Sequence, residues 1–305
     1  MALLLDVLGA LLLEHFHPLT QPAAHYRTFA AYSDWLRDKL DGGEPQQGLI
    51  AWCAAVLPAL VAVFFVHVWL AHFSAVLGAL FGAAVLYFTG GFKYYARAAE
   101  DVAQVLDAGE VGQAREALGR WGNVDAAQFG VHDLARVATE RVLALSHRQL
   151  FGPLFWFVAL AFLGPVGPVL YRLSSILDRR WARGDAFGQF AKWVFHWLDW
   201  PAVRVTALSF AIAGDFEDAV YCWRTQGADW PDAEEGKVLA AGAGALGVRL
   251  GLPLPLADTL LPRPELGLGD EAQAQHIGGA VSLIWRSLAL WLALGVLFAV
   301  AGWAS

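Results

Sequence analysis

In "KWVFHWLDWPAVRVTALSF", residues 192–210, Asp199 and Arg204 stand five positions apart inside an otherwise apolar helical pattern. Ionisable groups in such a segment are costly and usually face a bundle interior or water, which makes this pair the first candidate for a site. The competing reading makes them interface anchors: His196, Asp199 and Arg204 ringed by Trp193, Trp197 and Trp200. Other constellations carry less. "EHFHP" offers Glu14, His15 and His17 as metal ligands, but two histidines one residue apart without distant partners suit an interfacial cap. His67 and His72 line a cavity or cap a turn. "AAGAGALG" lacks the Lys-Ser/Thr of a phosphate loop and a preceding strand, so it reads as small-residue helix packing. No Ser-His-Asp or Cys-His order marks a nucleophile, and Cys53 and Cys222 do not make a disulfide framework.

The elements that position these residues follow from composition. Of 305 residues, 57% are hydrophobic and 16% charged, with 14 Trp, and the mean hydropathy is +0.47; such a chain favours a bilayer over water. Between Glu44 and Lys93 there is no Lys, Arg, Asp or Glu, more than twice the ~20 apolar residues of one spanning helix. Two spans are expected, about 49–70 and 74–92, with a third at 288–304 flanked by Trp291 and Trp303. The first residues, "MALLLDVLGALLLEHFHP", lack a basic leader and a cleavage site; 1–13 reads either as a tilted, packed or partly inserted helix ending before Pro18 or as a full span.

Residues 93–148 mix Ala, Leu and Val at helical spacing with charges of both signs and read as a cytoplasmic helical insert. "HRQLFGPLFWFVALAFLGPVGPVLYR", 147–172, is apolar but broken by three prolines and three glycines. If 150–171 crosses, Arg172, Arg179, Arg180 and Arg183 land opposite Arg27, Arg37, Lys39 and Lys93, against the positive-inside rule. Either the segment is bent or re-entrant and packed in protein, or those arginines pair with carboxylates such as Asp178 and Asp185. A further span is expected at 193–213, and 215–285, rich in Gly, Pro and acids, reads as loops with short helices. The expected class is all-α, a polytopic helical membrane protein. A net charge of −7 and a pI near 5.7 argue against a nucleic-acid partner.

Four stretches resemble one family. "GPLFW" (Gly152–Trp156), "YRLSSILD" (Tyr171–Asp178) and "WPAVRVTAL" (Trp200–Leu208) lie in the order and spacing of the CobD/CbiB family of cobalamin biosynthesis, the membrane-bound adenosylcobinamide-phosphate synthases. Upstream, residues 96–128 are similar to that family's helical segment, and Glu140 falls on a family glutamate. The resemblance covers roughly residues 3–213. It implies attachment of aminopropanol or its phosphate to a carboxylate of adenosylcobyric acid, an amide-forming step driven by ATP with Mg2+ in the inner membrane. Lipid, a corrinoid and aminopropanol phosphate are then the expected partners. On matching positions it implies Glu140 and Asp178 as catalytic residues, Asp125 and Asp178 as metal ligands, and Arg172 and Arg204 as anion contacts; Asp199 joins the substrate contacts from its place in the apolar run.

The chain departs from the family pattern where acids or an amide give way to Ala144, Leu145, Arg148, Phe195 and His196, and where a threonine becomes Ala126. "LDWPAVRV" (Leu198–Val205) and "AIAGDFEDAVYCW" are similar to the sister branch, AmpE, an inner-membrane regulator linked to β-lactamase induction. That branch is the alternative reading.

Overall fold

The computed structural model describes residues 2–19, 24–122, 124–256 and 259–304. The chain divides into two compact units, residues 1–91 with 148–202 and residues 92–147 with 203–305, and each is described by itself. The class is all-α. Among the described residues, three helical runs are long and apolar enough to cross a membrane: Pro45–Phe73, Ala75–Asp107 and Ala274–Ala301.

The first unit is built on a hairpin. Helix α1 (Ala2–Phe16) ends before Pro18 and packs on α4 (Ala75–Thr89), while α2 (Arg27–Leu40) leads into α3 (Pro45–Phe73). Proline at the first position of α3 costs no hydrogen bond, and the Gln47 side chain reaches back to accept the Glu44 N–H at 3.3 Å. Helices α3 and α4 meet at Ser74, whose hydroxyl accepts from the Val76 N–H and so starts α4. Large apolar side chains stay exposed along the hairpin, among them Phe65 (64%) and Trp69 (60%). A contiguous surface of this kind asks for lipid rather than water.

The proline-broken segment does not form one crossing helix at 150–171. It opens with a π-helical turn, His147–Phe151, continues as α8 (Gly152–Ala159), takes a 3-10 turn at Ala161–Leu163 and returns as α9 (Val166–Trp181). Gly164 makes the reversal with φ +66°, and any Cβ there would sit 2.4 Å from the His67 ring, so only glycine fits. Helices α8 and α9 pack on each other, with Gln149 at the Gly90 end of the α3–α4 hairpin and Gly164 near its Ser74 end. The last turns of α9 come back to the start of α3: Leu173, Leu177 and Trp181 share a core with Trp52, Ala55, Val56 and Phe187. Arg180 therefore stands beside α2, bound to Asp34 at 2.6 Å, and Arg37 pairs with Asp185. The segment is bent, and Arg180 finds its carboxylate in Asp34, while Asp185 is taken by Arg37.

The second unit packs α5 (Phe92–Asp107), α6 (Val111–Gly122) and α7 (Val131–Ser146) with the last part of α10 (Gln189–Ala213) and the C-terminal elements. Helix α10 is continuous through Pro201, yet its two ends belong to different units, and 193–213 is not among the runs apolar enough to cross. Residues 215–285 are more ordered than loops with short helices. They form α11 (Phe216–Thr225), α12 (Ala233–Leu246) and five short strands: β1 (Val248–Gly251), β2 (Leu254–Leu256), β3 (Thr259–Leu261), β4 (Glu265–Leu266) and β5 (Asp270–Glu271). Strand β1 pairs antiparallel with β4 and parallel with β5, and β2 pairs with β3. The "AAGAGALG" run is the buried part of α12, where small residues let the helix approach α11 and α7. Helix α13 (Ala274–Ala304) packs on α5 and α7 through Ile277, Leu283 and Ile284, then exposes Leu297 and Phe298. Trp291 donates to Ser209 Oγ at 2.7 Å, whereas the Trp303 side chain lies outside the described residues.

Candidate functional site

In the first unit two of the stretches that carry the resemblance, "GPLFW" and "YRLSSILD", meet Leu198 and Asp199, just before the third. Tyr171, fully buried, lies against Gly152: a Cβ on that glycine would meet the phenol oxygen at 2.5 Å. The Tyr171 hydroxyl donates to Asp199 Oδ1 at 2.7 Å, and Trp156 Nε1 donates to the Leu198 carbonyl at 2.9 Å. "GPLFW", "YRLSSILD" and the Asp199 before "WPAVRVTAL" thus supply the glycine that makes room, the tyrosine and the carboxylate that accepts its hydrogen bond. Asp199 is buried and hydrogen-bonded, not an exposed interface anchor. Arg148, also buried, stacks over the Phe195 ring at 5.9 Å. Asp178 is half-buried and shares the Tyr171 face of α9, two turns on.

Arg172 differs from its neighbours. It is 3% exposed and lies over the Tyr26 ring at 5.0 Å, yet its Nε and Nη1 have no hydrogen-bond partner among the described residues. Tyr26 donates its hydroxyl to the Phe88 carbonyl. Burial pushes the Tyr26 phenol up, and the Arg172 charge opposes that shift. A buried guanidinium with open N–H directions is expensive unless an anion completes it.

The second unit holds the other candidates. Glu140, 5% exposed, accepts from Arg263 Nη1 at 2.8 Å, from Arg263 Nη2 at 3.1 Å and from the Gly251 N–H at 2.8 Å. Arg263 also donates to the carbonyls of Leu252 and Gly251 and covers Trp230 at 5.2 Å. Leu252 adopts φ +62°, a left-handed conformation rare outside glycine, at the turn that presents its carbonyl. With both oxygens engaged, Glu140 acts first as the holder of Arg263. Buried Arg136, bound to Asp133 at 2.5 Å, has its pKa lowered by burial against the pull of Asp133 and Glu140.

Asp125 lies in the α6–α7 connection, exposed, with Oδ1 accepting the Ala127 N–H. It and Glu140 line one cavity of about 300 Å3, together with Arg141, Trp230, Glu235 and Arg263. Arg204 does not line that cavity, and it belongs to the second unit whereas Asp199 belongs to the first. It pairs with Glu234 at 2.7 Å, and Lys237 completes the triad at 2.7 Å. Asp125 and Asp178 likewise belong to different units. Among the described residues no group of three or more His, Cys, Asp or Glu side chains is placed to hold a metal, "EHFHP" included.

Sequence reasoning missed Arg263, Arg141, Trp230 and Glu234. Arg141 was visible beside Glu140 only as a helix-face charge. "LPRPELG" shows Arg263 as a lone base between prolines, with no spacing that ties it to Glu140 more than a hundred residues earlier.

Comparisons with known proteins agree with the motif reading. The CobD/Cbib protein family model matches residues 1–284. The chain is 36% identical over 311 residues to "Cobalamin biosynthesis protein CobD" of Stutzerimonas stutzeri, covering 99% of both. It is 34% identical to the protein of that name from Chromobacterium violaceum, over 85% of this chain and 83% of that one. The Mycobacterium tuberculosis protein is 31% identical over 62% of each. No solved structure matches. Nothing in these comparisons favours the AmpE branch over this family. The chain belongs to the CobD/CbiB family.

Proposed function

We propose, from that membership, that this protein acts in cobalamin biosynthesis by joining aminopropanol or its phosphate to a carboxylate of adenosylcobyric acid. The observation that carries the reading is the end-to-end match to a relative named for cobalamin biosynthesis. Its seat is the inner membrane, with Arg37, Lys39, Lys93 and the returning Arg179, Arg180 and Arg183 on the cytoplasmic side.

Amide formation needs an anionic group held in place, a carboxylate made reactive and an amine kept neutral enough to attack. Arg172 is the residue fitted to the first task, because its open N–H groups would complete the shell of a carboxylate or phosphate. Asp199 orients Tyr171 beside it on α9 and so acts as a positioning residue. Glu140 positions Arg263 at the cavity. Arg204, held by Glu234, has less to offer a substrate anion than Arg172. Mg2+ and ATP enter through family resemblance alone. Mg2+ commonly takes one or two carboxylates and completes its shell with phosphates and water, so Asp178 would fit as a single contact and help screen phosphate charge, whereas Asp125 belongs to the second unit and lines its cavity.

The test follows the visible absorbance of adenosylcobyric acid on titration with the purified, detergent-solubilised protein, repeated with Arg172→Met and Asp178→Asn. Saturable binding, weakened at least tenfold by Arg172→Met, is the expected result. No binding by the wild-type chain at high concentration would sink the reading.

A further inference from the structure

We propose that the 300 Å3 cavity of the second unit is a binding site for a small molecule carrying one anionic and one cationic group, with Arg141 meeting the anion and Asp125 the cation. The volume is at the low end for small-molecule sites and far below that of a corrin macrocycle. Its walls are mostly apolar, with Phe129, Leu239 and Leu254 among them, and its charged residues divide by availability.

Glu140 and Arg263 consume one another. The carboxylate accepts three hydrogen bonds, and the guanidinium spends its N–H groups on Glu140 and two carbonyls while stacking on Trp230. They form a frame. Arg141, next in sequence to Glu140, lines the same space and makes no hydrogen bond or ion pair with any described residue. Asp125 has one oxygen engaged by the Ala127 N–H and none of its bonding goes to Arg141. A ligand with only negative charge would meet Asp125 and Glu235, and one with only positive charge would meet Arg141. A ligand bearing both signs satisfies the lining.

This inference deepens the proposed function and rests on it for its meaning: the cavity is where the small amine-bearing partner is held, apart from the corrinoid. The site itself is tested without any corrinoid. Isothermal titration of the purified full chain with O-phosphoethanolamine, inorganic phosphate and ethanolamine compares a ligand of both signs with each half. O-phosphoethanolamine is expected to bind at least tenfold more tightly than either half. Arg141→Gln should weaken it at least tenfold, and Asp125→Asn should abolish its advantage over inorganic phosphate. Both variants keep the frame intact, so an unchanged melting temperature confirms folding. Failure of O-phosphoethanolamine to bind, phosphate binding as tightly, or indifference to Arg141→Gln would overturn the site. Adenosylcobyric acid titrated into the same samples separates the two claims: binding there with no response to O-phosphoethanolamine overturns only the site.

Discussion

At the scale of single residues, burial and partner count decide which charges build the protein and which await a ligand. Glu140 and Arg263 are builders. Glu140→Ala would leave a guanidinium buried and unpaired, a change that typically costs about 3–5 kcal/mol; urea unfolding in detergent should show a loss of that order. Arg172 is the opposite case. Arg172→Met removes a buried charge that lacks partners at two nitrogens, so thermal stability should hold or rise while corrinoid binding falls. A marked drop in melting temperature would show that Arg172 is structural. Cys222 gives a pH prediction. Burial, then the charge of Asp218, pushes its thiol up to about 11, above the ~8.5 of an exposed thiol. The folded state therefore favours the protonated form: its contribution to stability is whole below about pH 8.5 and is lost as pH rises through 11. Native protein at pH 8 should leave Cys222 unmodified by iodoacetamide, as read by peptide mass spectrometry. The sequence exposed Asp199, Arg172 and Glu140 because each sits in a motif or an apolar run. It hid Arg263 and Glu234, whose significance lies in long-range pairing that no local spacing encodes.

At the scale of elements, prolines and glycines announced that 147–172 is broken but not in which direction it turns. Gly164 and its contact with His67 settle that, and the contact joins residues 97 positions apart. The consequence for topology is concrete. With Cys53 and Cys222 replaced by alanine, single cysteines at Lys39 and Arg183 should react with a membrane-impermeant maleimide from the same side of the membrane. Labelling from opposite sides would contradict the returning helix. Gly152 has a second, sharper role, since Gly152→Ala puts a methyl 2.5 Å from the Tyr171 oxygen. Overpacking of this kind costs about 1–3 kcal/mol, and the variant should unfold earlier and lose the Tyr171–Asp199 bond. The strands of 248–271 were invisible in the sequence. They are two to four residues each, and Gly and Pro dominate their surroundings, so composition read as loop.

At the scale of the whole molecule, the all-α class and the long apolar hairpin were legible because they depend on composition and run length alone. The division into two units was not. It cuts α10 between Ala202 and Val203, inside a continuous helix where no linker marks a boundary, and it assigns Asp199 and Arg204 to different units. It also joins the 92–147 insert to the C-terminal region, so the charged cavity draws on segments that sequence reading kept apart. The resulting account is a membrane-associated family member with a buried arginine that has two open nitrogens in one unit and a two-signed cavity in the other. The measurement that tests it most directly is mass spectrometry of the corrinoid pool after the purified protein is incubated with adenosylcobyric acid, aminopropanol phosphate, ATP and Mg2+. The account predicts a corrinoid heavier by one aminopropanol phosphate less one water. Adenosylcobyric acid recovered unchanged, from protein shown to be folded and to bind both partners, would contradict it.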